Sequence, residues 1–172
     1  MKLISDTYLE QNRKLHEQGS FGISGHQWGP RIASLAEMFR CRTILDYGCG
    51  RQTLRDALKG RDLEVRGFDP AIPGLDMPPE KVDLVACTDV LEHIEPEYLD
   101  SVIAEIARCA TKAVFLVVHT GPAVKTLPDG RNAHLIQQPY AWWLPKFDKR
   151  WDRFSERVGD NAFWYAGKAR PA

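Results

Sequence analysis

An open α/β sheet, mostly parallel and covered by helices on both faces, is the fold class this 172-residue sequence predicts. Three observations point to it. The run Thr43-Ile44-Leu45-Asp46-Tyr47-Gly48-Cys49-Gly50 is apolar and ends in an acid and two glycines, as a buried strand entering a tight turn would. Two further stretches of strand length follow, 63–69, which ends in an acid, and 82–87. A fourth, Ala113-Val114-Phe115-Leu116-Val117-Val118, is continuously apolar, the pattern of a strand buried on both faces.

The elements follow in order. Residues 5–18 read as a polar, weakly amphipathic helix capped by Ser5 or Asp6. Residues 19–29 interleave glycines with Phe21, His26 and Trp28, which reads as a mobile loop. Two roles stay open for it: a lid over a ligand, or a surface connection pinned by its aromatics. Ile32, Leu35, Ala36 and Phe39 place a helix over 30–40. Behind the first strand (43–47), residues 52–58 start a helix whose N–H groups face the turn. The second strand, 63–69, ends in Asp69, and a right-handed crossover puts it parallel to the first. Pro70, Pro73, Pro78 and Pro79 leave no room for a helix and strand before residue 82. A helix begins near Glu95-Pro96-Glu97, with Leu99, Val102, Ile103, Ile106 and Ala107 as its buried face. A long loop spans 119–138, and a helical piece surrounds Tyr140. Gly159-Asp160-Asn161 joins two last strands, near 153–158 and 162–168, as an antiparallel hairpin. One domain is expected: N-terminal helices and loop over 1–40, and a Rossmann-like core over 41–172.

Bulk properties exclude several classes. Lys+Arg and Asp+Glu number 23 each, so no basic field invites nucleic acid. No apolar run approaches the roughly 20 residues of a membrane span. The N-terminus lacks the pattern of a secretory signal. Cys41, Cys49, Cys87 and Cys109 form no CxxC pair, so buried free thiols in a cytoplasmic protein are expected.

Three strand ends should converge at the carboxyl edge of the sheet: Asp46 to Gly50, Asp69, and Thr88-Asp89-Val90-Leu91-Glu92-His93. Asp69 lies about 20 residues beyond the glycines, the distance at which a carboxylate grips ribose hydroxyls. A nicotinamide site would want a third glycine where Thr53 stands. Asp46 would repel a pyrophosphate but suits a ligand carrying an ammonium group.

These residues together resemble the class I S-adenosylmethionine-dependent methyltransferases. Ile44 to Gly50 is similar to that family's first motif, Asp69 to its ribose-binding acid, and Asp83 to Ile94 to its motif with a Val-Leu-Glu-His run. The resemblance covers about residues 40–120. It implies that S-adenosylmethionine is the cofactor and S-adenosylhomocysteine the product. It also implies that Asp46, Tyr47, Gly48, Cys49, Gly50, Asp69, Pro70, Thr88, Asp89, Val90 and Leu91 form the cofactor site. Three departures stand out. Gln52 occupies the place of a frequent third glycine. The 70–81 link replaces a helix and a strand, so the sheet should be one strand smaller. Only Asp76 remains as an acid on the adenine side.

His93, His119 and His134 are the candidate general bases for O- or N-methylation of a small-molecule acceptor. The scattered spacing of the histidines and Asp129 gives no metal-ligand signature, so no metal is expected. The aromatic cluster Tyr140, Trp142, Trp143, Phe147, Trp151 and Phe154 reads as core packing first, and as an acceptor pocket or dimer face second. Two rival functions remain: a cofactor-binding module without activity of its own, working with a partner chain, and a nicotinamide-dependent oxidoreductase.

Overall fold

The computed structural model describes residues 2–17 and 24–170. In chain order the elements are α1 (Asp6–Glu17), α2 (Gly25–Met38), β1 (Thr43–Tyr47), α3 (Thr53–Ala57), β2 (Glu64–Phe68), β3 (Val82–Thr88), α4 (Leu99–Cys109), β4 (Ala110–His119), α5 (Tyr140–Asp148), β5 (Trp151–Val158) and β6 (Ala162–Ala169). The strands form one sheet in the order β2-β1-β3-β4-β6-β5. β2, β1, β3 and β4 run parallel, while β6 is antiparallel to both β4 and β5. Among the described residues no strand lies beyond β2, as the proline-rich link predicts.

Side-chain alternation sorts the core into two layers. Ile44, Leu84, Phe115 and Val117 pack with α2 and α3 on one face. Leu45, Tyr47, Val85, Leu116 and Val118 pack with α4 and α5 on the other. β4 feeds both layers, which is why its sequence from Ala113 to Val118 is apolar at every position rather than at alternate ones. Trp143, Phe147 and Trp151 are fully buried in the second layer. The aromatic cluster is therefore mainly core. Trp142 and Phe154 are the exposed members, Phe154 edge-on to Phe39.

The glycine-rich loop expected over 19–29 is found to be helical from Gly25 onward; residues 18–23 lie outside the described residues. Close packing explains Gly25 and Gly29 better than flexibility. A Cβ on Gly25 would lie 2.3 Å from the Leu54 nitrogen, and one on Gly29 would lie 2.8 Å from the Ala57 Cβ. α2 thus sits directly against α3, and Trp28 packs on Phe115. Because the Leu54 contact is backbone, Gly25→Ala should push the two helices apart. A loss of about 1–3 kcal/mol is expected, and an unchanged urea midpoint would refute this packing.

α1 begins as the sequence suggests: the Ser5 hydroxyl accepts the Tyr8 N–H at 3.1 Å. Its buried side, Tyr8 and Leu15, rests on Leu127 and Ala133 of the 119–138 segment. Two long-range contacts tie it down further. Ser5 donates from its N–H and hydroxyl to the Glu95 carboxylate at 2.8 and 2.6 Å, and Tyr8 donates to the His93 carbonyl at 2.6 Å. The helix is held across the carboxyl end of the sheet, where the strand order reverses between β1 and β3.

Candidate active site

A cavity of about 470 Å³ opens at that reversal point. Its floor is the β1 turn. Gly48 there has φ +75, and a Cβ on it would lie 2.5 Å from a Val90 methyl. Only glycine satisfies both constraints, so the backbone is left bare to a ligand. The Gly48 and Cys49 N–H groups are taken by the Phe68 carbonyl at 2.8 and 3.0 Å, which locks β1 to β2 through the turn. Gln52 adopts φ +57. The departure from glycine at this position therefore keeps a left-handed backbone, at a modest conformational cost.

Two carboxylates meet beneath this turn. Asp46 is 5% exposed and Asp69 6%. Burial pushes the Asp46 carboxyl up to about 7, and the nearby Asp69 charge adds to the shift. Asp69 is set by backbone donors: Gly50 N–H reaches one oxygen at 3.1 Å and Ala71 N–H the other at 3.0 Å. His16 of α1 approaches the first oxygen at 3.6 Å. The carboxylate still has lone pairs to offer a diol. Asp76, the adenine-side candidate, instead accepts the Gly74 N–H at 3.1 Å in its own turn and is not part of the cavity wall.

Of the residues expected at the cofactor site, Asp46, Tyr47, Gly48, Cys49, Gly50, Asp69, Pro70, Thr88, Asp89 and Val90 line this cavity. Leu91 does not reach it and is fully buried below. All three candidate histidines line it too. They form one cluster, with ring centres 4.8 Å apart for His93–His134 and 5.6 Å for His119–His134. His119 Nε2 lies 3.3 Å from an Asp89 oxygen, and that carboxylate holds the imidazole above its ordinary pKa. Burial pushes His93 down to about 4 and lowers His134 as well. Asp89 itself has φ +57, a conformation aspartate tolerates better than most residues.

Sequence reasoning missed two contributors. One is Glu92, fully buried behind the histidines, whose Oε1 accepts the His119 N–H at 2.8 Å. Burial, then the Asp89 charge, pushes it up to about 8. Three ionisable groups within the five residues Asp89 to His93 were the available signal. The other is α1, whose Tyr8, Asn12 and His16 form the far wall. Its amphipathic pattern gave no sign of which surface it would cover. Asp129 lies away from the histidines, paired with Arg131 and Gln11.

The methyltransferase-domain family matches residues 15–167. The chain belongs to that family. Its Rossmann-like fold is that of the class I S-adenosylmethionine-dependent methyltransferases. It is similar to the Burkholderia thailandensis 1,6-didemethyltoxoflavin-N1-methyltransferase, whose structure holds 1,6-didemethyltoxoflavin and S-adenosylhomocysteine. That TM-score is 0.69 at 12% identity, over 99% of this chain and 93% of the other. DhpI in complex with SAH gives 0.63 at 15% identity, over 98% and 100%. The SAH-bound magnesium protoporphyrin IX methyltransferase of Synechocystis gives 0.56 at 16%, over 96% and 95%. No curated protein matches the sequence. No described helix of this methyltransferase-family chain is long and apolar enough to cross a membrane.

Proposed function

We propose that this methyltransferase binds S-adenosylmethionine in the cavity at the β1 turn and passes its methyl group to a hydroxyl or amine of a small-molecule acceptor. The observation that carries the reading is the pair of buried carboxylates, Asp46 and Asp69, beneath the bare Gly48 backbone. Asp46 would pair with the methionyl ammonium and Asp69 with the ribose hydroxyls. Thr88, Asp89 and Val90 would border the methionyl end. Methyl transfer from a sulfonium is an in-line displacement, so the chain's main task is positioning.

His119 is the best-placed proton acceptor. It is half exposed at the cavity mouth, and Asp89 orients it from 3.3 Å. His93 and His134 have their Nδ1 atoms tied to the Ala133 and Gly121 carbonyls and serve to build the wall. An acceptor would enter between His119 and the α1 side, where Leu3, Ile4, Pro122 and Val124 supply apolar surface. Small-molecule acceptors are consistent with the toxoflavin and protoporphyrin relatives. The four free, buried cysteines fit a reducing compartment such as the cytoplasm.

Calorimetric titration with S-adenosylhomocysteine tests the reading: saturable micromolar binding is expected. No binding would favour the second reading, a cofactor module completed by a partner chain at the short adenine side. Tight binding of a nicotinamide dinucleotide instead would favour an oxidoreductase. Once a screen with methyl-labelled cofactor yields an acceptor, His119→Ala should slow turnover by about a hundredfold. Its S-adenosylhomocysteine affinity should stay the same. Turnover within threefold of wild type would remove His119 from the mechanism.

A further inference from the structure

We propose that Glu92, His93 and His134 hold a divalent transition-metal ion in the wall of the cavity, where it would receive a hydroxyl oxygen of the methyl acceptor. One donor atom from each of the three residues lies within 4.8 Å of the others. A second trio, Asp89, Glu92 and His119, shares Glu92 and is equally close. Four metal-ligating side chains therefore gather around one fully buried carboxylate.

Hydrogen bonding has already prepared the donors. His93 Nδ1 is 2.8 Å from the Ala133 carbonyl and His134 Nδ1 is 2.7 Å from the Gly121 carbonyl. A carbonyl oxygen only accepts, so each Nδ1 carries the proton and each Nε2 keeps its lone pair. Metal-binding histidines are commonly fixed in this way. Glu92 Oε1 accepts the His119 N–H, but Oε2 is buried and accepts no hydrogen bond. A buried carboxylate oxygen without a donor is costly. A cation held between these donor atoms would satisfy that oxygen.

The donor set narrows the ion. Two imidazole nitrogens beside carboxylate oxygens suit Mn²⁺, Fe²⁺, Co²⁺, Ni²⁺ or Zn²⁺ rather than Mg²⁺ or Ca²⁺, which prefer oxygen alone. Such an ion lowers the pKa of a bound hydroxyl. The acceptor class is then a hydroxyl compound. The O–H proton passes to the His119–Asp89 pair and the oxygen bonds the methyl carbon. The C–S bond breaks with its electron pair on sulfur, leaving a neutral thioether.

The ion itself is testable without the methyl-transfer reading; only its role with a hydroxyl rests on that reading. Purified protein is stripped with a chelator, dialysed, and titrated with MnCl2 by calorimetry and by electron paramagnetic resonance. A single saturable site is expected. Glu92→Gln and His134→Ala should each weaken it tenfold or more, with S-adenosylhomocysteine affinity kept in His134→Ala. If Glu92→Gln fails to fold, His134→Ala carries the test, because its ring is only half-buried at the cavity. Absence of saturable Mn²⁺ binding, or equal affinity in the variants, overturns the ion site. If that protein still binds S-adenosylhomocysteine, the methyltransferase reading survives alone; Mn²⁺ binding without cofactor binding gives the reverse. Equal methylation of hydroxyl acceptors with and without metal overturns the ion's role.

Discussion

Asp69→Ala should all but abolish cofactor binding. Two hydrogen bonds from ribose hydroxyls to a charged carboxylate contribute about 1–3 kcal/mol each, so a loss of roughly 2–6 kcal/mol is expected, from tens-fold to many thousand-fold in Kd. The substitution also removes the acceptor that fixes Gly50 N–H and Ala71 N–H. Part of the effect could then be a loosened turn rather than a lost ligand contact. Asp69→Asn separates the two, because its amide oxygen can still accept one of these N–H groups. Isothermal titration with S-adenosylhomocysteine, alongside thermal melts of both variants, reads the result. Binding within threefold of wild type in a stably folded Asp69→Ala protein would mean that the ribose lies elsewhere.

Asp46 should make both stability and cofactor affinity depend on pH, in opposite senses. Its carboxyl is raised from 3.8 to about 7 in the folded protein, chiefly by burial. The folded chain therefore holds this proton more tightly than the unfolded chain does. The stabilisation is fully present below the unfolded pKa and is lost as pH rises through about 7. At about pH 8 the ionised carboxylate costs the ligand-free protein up to about 4 kcal/mol, at 1.36 kcal/mol per pKa unit. The cofactor's ammonium needs that same ionised form. Affinity for S-adenosylhomocysteine should therefore fall about tenfold per pH unit below 7 and level off above it. Asp46→Asn should melt higher than wild type near pH 8, bind the cofactor more weakly, and show this pH dependence no longer. Parallel pH profiles for the two proteins would exclude Asp46 as the ammonium's partner.

Both predictions rest on residues that the sequence exposed. An apolar run ending at Asp46, with glycines at 48 and 50, has few structural solutions, because only a turn after a buried strand needs a bare backbone just there. Asp69 was legible for a similar reason: a second strand of the right length places its last acid beside that turn. The prolines at 70, 73, 78 and 79 ruled out a helix and strand, and β2 is accordingly an edge strand. Local rules of this kind act within a few residues and leave their mark on composition.

Gly25 and Gly29 show where local reading stops. In sequence they look like flexible punctuation; in the fold they are contact points between α2 and α3. Whether a glycine serves a turn or a close approach depends on what lies against it, and the sequence does not carry that distance. The covering of the site by α1 has the same origin. Ser5 reaches Glu95 and Tyr8 reaches His93 across roughly half the chain.

By itself, then, the sequence determined the parallel sheet, its missing strand, the glycine turn and the two acids below it, because periodicity, proline and glycine are local constraints. Tertiary structure alone decided the company those groups keep. It set His93, His119 and His134 ring to ring although up to 41 positions separate them. It also buried Glu92 behind them, with one oxygen left unpaired. A side chain's chemistry follows from its neighbours and its access to water, and only the folded chain fixes both.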